Sequence, residues 1–310
     1  MKILVTGATG FIGKAIAKSL LSQGHKVYGL VRNPLKAQRL SHLGIQLIKA
    51  DISDKKSLLA LPDFFEVIVH SAGYVGEDKK KLYLSNVLGT ENICWWAVKA
   101  NVKRFLHISS VAVVSGHNKI PLTEELPYWA TNNYGYSKIE AEKIVLSYAQ
   151  NGLSTVILRP AMVYGVGEPH LLELLLFLLR FRLLPVPNKG KNKWHLVDIK
   201  LVCQTVIKTL ENKEIVNRPF FVADFEVLTA KEIFKALAEG IKAPCPILLS
   251  TSATKMLAKL PFIGKRVNLF LKDRVYDTSR LQQLGVKPIG SVYESLQEVA
   301  KAYREGIKKD

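Results

Sequence analysis

The residues able to do chemistry in this chain stand at the ends of short apolar runs. At the N-terminus, MKILVTGATGFIG places Gly7, Gly10 and Gly13 between the apolar run Lys2 to Val5 and an apolar helical pattern that starts at Phe11. A strand, a glycine turn and a helix N-terminus predict a phosphate cradle. Unpaired N–H groups and the helix dipole aim positive potential at a pyrophosphate, and the missing Cβ atoms let it approach the backbone. Farther on, the strand-like run Arg104 to Ile108 ends in the hydroxyls of Ser109 and Ser110. The stretch NNYGYSKIEAEKIVLSYA then holds Tyr134 and Lys138 four apart, on one helical face about a turn from each other. Lysine is abundant here, so one such pair is expected by chance and the spacing alone decides little. Its company gives it meaning: cradle, serine-ended strand and tyrosine–lysine pair follow in this order.

Positioning these groups takes alternating strands and helices. A helix from Phe11 to Gln23 leads through Gly24-His25 to a strand, Lys26 to Val31, that ends in Arg32. In a dinucleotide fold, the residue about 20 positions beyond the glycines faces the adenosine ribose; an acid there bonds the 2′-hydroxyl, whereas an arginine pairs with a 2′-phosphate. Arg32-Asn33, with no acid, favours NADP(H) over NAD(H), with Arg39 as a second cation; the other reading of Arg32 is an exposed strand end. Helix Pro34 to His42, strand Ile45 to Lys49, strand Glu66 to His70, the small-residue turn Ser71-Ala72-Gly73 and a long helix from Lys79 to Ala100 continue the alternation. The pattern predicts an α/β fold with a doubly wound parallel sheet and ligand at the C-terminal strand ends.

The 310 residues, 48% apolar and 23% charged, suit a globular protein with one large core or a core plus a smaller lobe. Cys94, Cys203 and Cys245 are odd in number and without C-x-x-C spacing, so neither a disulfide framework nor a zinc site is indicated. No apolar run is long enough for a spanning helix, and the N-terminal run is too short for a signal peptide. The expectation is a cytoplasmic protein without a metal. The net charge of +18 fits a lysine-rich surface, an anionic ligand or an anionic membrane. No nucleic-acid motif accompanies it. Its densest patches, Arg180 to Lys193 and Lys255 to Arg274, interleave cations with leucine or phenylalanine, a pattern suited to peripheral membrane contact.

Eight motifs in order show that the sequence resembles the extended short-chain dehydrogenase/reductase family, which includes nucleotide-sugar epimerases and dehydratases, hydroxysteroid dehydrogenases and dihydroflavonol reductases. They are TGATGFIG at 6–13, ADIS at 50–53, HSAG at 70–73, NVLGTEN at 86–92, HISSVAV at 107–113, YGYSK at 134–138, RPAMVYG at 159–165 and HLVDI at 195–199. YDTSRLQQLGVKP at 276–288 looks like the family's closing segment. In character the chain is nearest the dihydroflavonol reductase and hydroxysteroid dehydrogenase branch.

The resemblance implies a Rossmann fold, a homodimer packed through the helices near 79–100 and 133–150, and a set of roles. Tyr134 is the general acid/base, and Lys138 bonds the nicotinamide ribose and lowers the tyrosine pKa from its ordinary value near 10. Ser110 holds the substrate oxygen, with Ser109 as the fallback, since VAVVSG departs from the family's shorter V-Y-G ending and puts Ser115 where tyrosine often stands. Phe11 and Ile12 offer backbone to the pyrophosphate, Asp51 and Ile52 flank the adenine, Ser71 and Ala72 line the cofactor, and Pro160 and Val163 shape the nicotinamide pocket. Asn86 matches an asparagine near the active centre; pinning a helix kink is its equal alternative.

Residues 1–160 are expected to form the dinucleotide domain, with 194–223 returning to it, and 161–310 mainly a discontinuous C-terminal substrate lobe. Lys231 to Gly240, Ala253 to Leu260 and Ser291 to Ile307 supply helices of the lobe, and the apolar stretch 171–187 greases its pocket, packs its core or touches a membrane. The leading function is an NADP(H)-dependent oxidoreductase acting on a secondary alcohol or ketone of a steroid-, flavonoid- or lipid-like small molecule. The rival is a nucleotide-sugar epimerase or dehydratase with bound NAD, whose usual asparagine and arginine are replaced here by Ala161-Met162 and Lys193. A third reading, a non-catalytic assembly subunit, is opposed by the intact Tyr134 and Lys138.

Overall fold

A computed structural model describes residues 1–169, 172–212, 214–259 and 271–306. The strands, in chain order, are β1 (Lys2–Thr6), β2 (Lys26–Val31), β3 (Gln46–Lys49), β4 (Val67–His70), β5 (Arg104–Ile108), β6 (Thr155–Pro160), β7 (Met162–Tyr164), β8 (Lys193–Trp194), β9 (Leu196–Asp198), β10 (Arg218–Val222) and β11 (Leu228–Thr229). Seven of them form one parallel sheet in the order β10-β6-β5-β4-β1-β2-β3. Their sequences are continuously apolar because both faces are covered; ILV of β1 and FL of β5 are fully buried. One face carries helix α1 (Phe11–Ser22) and the helix Ile199–Glu211; the other carries the helices Gly89–Lys99 and Asn133–Gln150.

The order reverses between β1 and β4, whose C-terminal ends, Thr6 and His70, stand side by side. At such a switch point the loops diverge to opposite faces and leave a crevice for ligand. The Thr6 hydroxyl and His70 Nδ1 are 2.7 Å apart, and Ala72 N–H donates to Thr6 Oγ1 at 3.1 Å. The crevice floor is therefore pinned by side chains as well as by the ladder.

The helix expected from Lys79 to Ala100 is interrupted by a π-helical segment, Tyr83–Leu88, between Lys79–Leu82 and Gly89–Lys99. Its periodicity looks unbroken in sequence because one extra residue barely disturbs an apolar stripe. Beyond β6, β7 pairs with β9 and β11 with β8, outside the main sheet. A third core packs Leu172–Arg180, Ala230–Gly240 and Val292–Arg304, with Phe234, Leu296 and Val299 buried at its centre. The lobe helices expected to reach Leu260 and Ile307 are described over Thr251–Leu257 and Val292–Arg304; the two end residues lie outside the described residues, as does 260–270 of the basic patch Lys255 to Arg274.

Candidate active site

The glycine turn is built by close contact. Gly7 has φ +67, and a Cβ on it would lie 2.7 Å from the backbone N and Cα of Ala72; a Cβ on Gly13 would lie 2.2 Å from the Gly7 carbonyl oxygen. Neither position has room for a side chain. Gly10 caps α1 without a side-chain hydrogen bond, and the first turn has no acid. The opening N–H groups of α1 thus keep their positive potential for a ligand. This is the arrangement a pyrophosphate needs, and the residues present fit a dinucleotide.

Two cavities meet at this turn and share Gly7, Gly10, Ser71 and Gly73. One, of about 220 Å³, is lined also by Phe11, Ile12, Gly13, Ser109, Tyr134, Lys138 and Val163. The other, of about 500 Å³, runs past Thr9, Arg32, Asp51, Ile52 and Ala72. Of the expected cofactor residues, Pro160 is buried at the end of β6 and lines neither cavity. Arg39 lines a separate hollow of about 460 Å³ beyond Thr9, with Lys14, Lys36 and His42.

The helix Asn133–Gln150 starts at Asn132, whose side chain accepts the Gly135 N–H at 2.7 Å. Tyr134 lies in its first turn, and Lys138 and Glu142 follow at four-residue steps on the same face. Lys138 Nζ donates to the carbonyl of Ile108, the last residue of β5, at 2.9 Å. Glu142, fully buried, accepts from Ser109 Oγ at 2.5 Å, from Tyr128 at 2.9 Å, and from Arg159 Nη2 at 2.7 Å and Nε at 3.0 Å. Arg159 comes from β6 and stands over the Tyr128 ring at 5.5 Å. The Ser109 hydroxyl is thus committed to a buried carboxylate, whereas the Ser110 hydroxyl bonds the Tyr134 phenol.

Burial pushes the Tyr134 pKa above its ordinary value, opposed by the bond from Ser110. Burial also lowers the Lys138 pKa to about 8, against the nearby charge of Glu142. The expectation that Lys138 depresses the tyrosine is not met: its ammonium is directed at Ile108, and desolvation dominates the phenol. Tyr134 is therefore protonated at neutral pH and stands as a proton donor.

Asn86, in the π segment, is buried. Its Oδ1 accepts the Tyr74 N–H at 2.7 Å, and its Nδ2 donates to Tyr74 O at 3.0 Å and to Ser137 Oγ at 2.8 Å. Beneath Lys138, His107 stacks on His70 with centroids 5.4 Å apart, and both ring nitrogens of His107 lack a hydrogen-bond partner among the described residues. Burial holds both imidazoles neutral, His70 with a pKa lowered to about 3. Sequence reasoning missed Glu142, Tyr128 and Arg159. The one available signal was the four-residue step from Tyr134 continuing through Lys138 to a glutamate.

The model of the NAD dependent epimerase/dehydratase family matches residues 3–222. A UDP-glucose 4-epimerase of Vibrio cholerae is 27% identical over 319 aligned residues, spanning 97% of this chain and 95% of the relative. A 4-hydroxy-2-methyl-3-oxo-4-farnesyl-3,4-dihydroquinoline-1-oxide ketoreductase of Stigmatella aurantiaca is 26% identical over 250, spanning 78% and 75%. The fold is that of a UDP-glucuronic acid 4-epimerase from Bacillus cereus solved with NAD, at a TM-score of 0.79 and 23% identity over 99% of this chain and 100% of that one. With the family match extending over most of the chain and the glycine cradle, Tyr134 and Lys138 meeting at one crevice, the protein belongs to the NAD dependent epimerase/dehydratase family and is an NAD(P)-dependent enzyme of the extended short-chain dehydrogenase/reductase type.

Proposed function

We propose that the protein is an NADP(H)-dependent oxidoreductase that interconverts a secondary alcohol and a ketone on an apolar small molecule. The observation that carries the cofactor choice is Arg32, exposed at the end of β2 and lining the larger cavity, where a 2′-hydroxyl reader would be an acid. Among the described residues lining that cavity the one carboxylate is Asp51, which accepts from Ser53 N at 2.9 Å and Ser53 Oγ at 2.8 Å, a local turn that occupies it. Lys14, Lys36 and Arg39 around the adjoining hollow add positive potential on that side. Gly7, Gly10, Phe11, Ile12 and Gly13 would hold the pyrophosphate, Asp51, Ile52 and Ala72 the adenosine half, and Lys138 and Val163 the nicotinamide half.

When bound, the nicotinamide supplies or takes a hydride at the substrate carbon. Tyr134 then gives its phenolic proton to the substrate oxygen in the reducing direction, while Ser110 orients the phenol and that oxygen. Lys138, held by Ile108 O and lining the same cavity, would bond the nicotinamide ribose. Val75 and Val163 at the reacting end support an apolar substrate, as does the relative named for a farnesyl-bearing ketone. In this reading residues 1–160 with 194–223 bind cofactor and the rest of 161–310 selects substrate. Exposed Tyr83, Val98 and Tyr136 support a homodimer through the helices that carry them.

The test is to denature the purified protein, identify any released nucleotide, and titrate with NADPH and NADH. Exchangeable binding with a clear NADPH preference is the expected result. Tightly held NAD would overturn it in favour of a nucleotide-sugar epimerase or dehydratase, the reading supported by the full-length likeness to the Vibrio cholerae enzyme.

A further inference from the structure

The segment after the cavity carries a surface that the reaction does not use. Helix Leu172–Arg180 buries Leu172, Leu176 and Leu179 in the third core. A helix with one face in a core normally turns polar residues outward. This one turns out Leu174 and Phe177, and Phe181 just past its end stacks on Phe177 with centroids 5.0 Å apart. Leu183 follows, and the chain then runs beside 247–249, Val186 N–H donating to Ile247 O at 2.8 Å and Leu249 N–H to Val186 O at 2.9 Å. Asn188 N–H donates to Thr254 Oγ1 at 2.8 Å and so holds the helix Thr251–Leu257, which carries Met256, against the same stretch. Leu174, Phe177, Phe181, Leu183 and Met256 are 55–71% exposed. Single exposed apolar residues need no explanation, but side chains at 174, 177 and 181 form a stripe.

Charge narrows what covers the stripe. Residues 172–193 and 247–259 hold seven lysines and arginines, among them Arg180, Arg182, Lys255 and Lys259, against a single acid, Glu173. A second copy of the same patch would bring like charges together. A nucleic acid would pair with the cations and leave phenylalanine, leucine and methionine in water. An anionic bilayer satisfies both, taking apolar side chains at the acyl boundary and cations at the phosphates. At nine residues the helix is too short to cross a membrane but long enough to lie on one.

We infer that the face formed by Leu174, Phe177, Phe181, Leu183 and Met256 with Arg180 and Lys255 docks the protein on anionic lipid bilayers. The docking does not depend on which cofactor or substrate the site takes. The test is sedimentation of the full chain with vesicles of phosphatidylcholine alone, or with about 30% phosphatidylserine. The expected result is partition onto the anionic vesicles only, weakening with salt. Phe177→Ser with Phe181→Ser should cut that partition at least roughly tenfold at an unchanged melting temperature. Arg180→Gln with Lys255→Gln should weaken it less and flatten its salt dependence, which keeps the test open if the serine variant misfolds. No partition onto anionic vesicles, or partition that survives the paired serine substitutions, overturns the inference. So does a loss of oligomer mass in the serine variant without any effect on vesicle binding, which would assign the face to a second copy.

Discussion

The two ends of the crevice are made differently. At the reacting end, Lys138, Glu142 and Arg159 are buried and bonded to the protein's own groups before any ligand arrives. At the adenosine end, Arg32, Lys36 and Arg39 stand exposed around hollows. The first end stores its specificity as preorganised geometry, since a buried charge persists only if paired. The second keeps its cations at exposed positions, where solvent screens their charge. In the proposed reading, one end sets what reaction is possible and the other which cofactor serves it.

The comparison breaks most visibly at the phenol. Tyr134→Phe should lower kcat by about 10²–10⁴-fold and leave the cofactor Kd within roughly twofold, since only proton transfer is lost. A change mainly in Kd would instead make Tyr134 a binding residue. Next comes the buried pair: Glu142→Gln leaves the Arg159 guanidinium uncompensated and should cost about 3–5 kcal/mol, read as a fall in the denaturant midpoint. A loss under about 1 kcal/mol would mean that water reaches this end and that it is no more preorganised than the other.

At the exposed end, Arg32→Ser should weaken NADPH binding by roughly 10–100-fold while NADH changes little, the worth of one charge-assisted bond to the extra phosphate. Equal losses for both cofactors would show that Arg32 touches something the two share. The smallest effect is on stability in acid. His70 has a folded pKa of about 3, below that of an exposed imidazole near 6.5, so the unfolded chain takes up the proton first. Its contribution is complete above about pH 6.5 and is lost as pH falls, by roughly 2 kcal/mol at pH 5. Asn in place of His70 should flatten the decline in melting temperature between pH 7 and 5; an unchanged decline would place its source elsewhere.

What was legible in the sequence was what is local. The β1 strand, glycine turn and α1 lie within 22 residues, and the requirement for no Cβ at Gly7 and Gly13 is written in residue type. Helical spacing puts Tyr134 and Lys138 on a common face, but what singled them out was their place after the cradle and the serine-ended strand. The Glu142 cluster was not, because Ser109, Tyr128 and Arg159 reach it from three separate stretches and each is ordinary alone. Lys138 shows the same limit: sequence puts an ammonium near a phenol, but only the fold shows the Ile108 carbonyl that receives it. In the lobe, helix positions were readable from periodicity, while the outward turn of Leu174 and Phe177 depended on which face found a partner.

The π segment at Tyr83–Leu88 makes this helix intolerant of a change in length. Asn86 lies within this segment, and from there it clasps both Tyr74 and Ser137. Deleting one residue here would restore regular winding and remove the bulge from which Asn86 reaches the loop it holds. A homologous sequence shorter by one between the cradle and Asn86 would have to fasten the loop that carries Tyr74 in some other way. The spacing there is a mechanical dimension of the crevice, much as tooth pitch is of a gear.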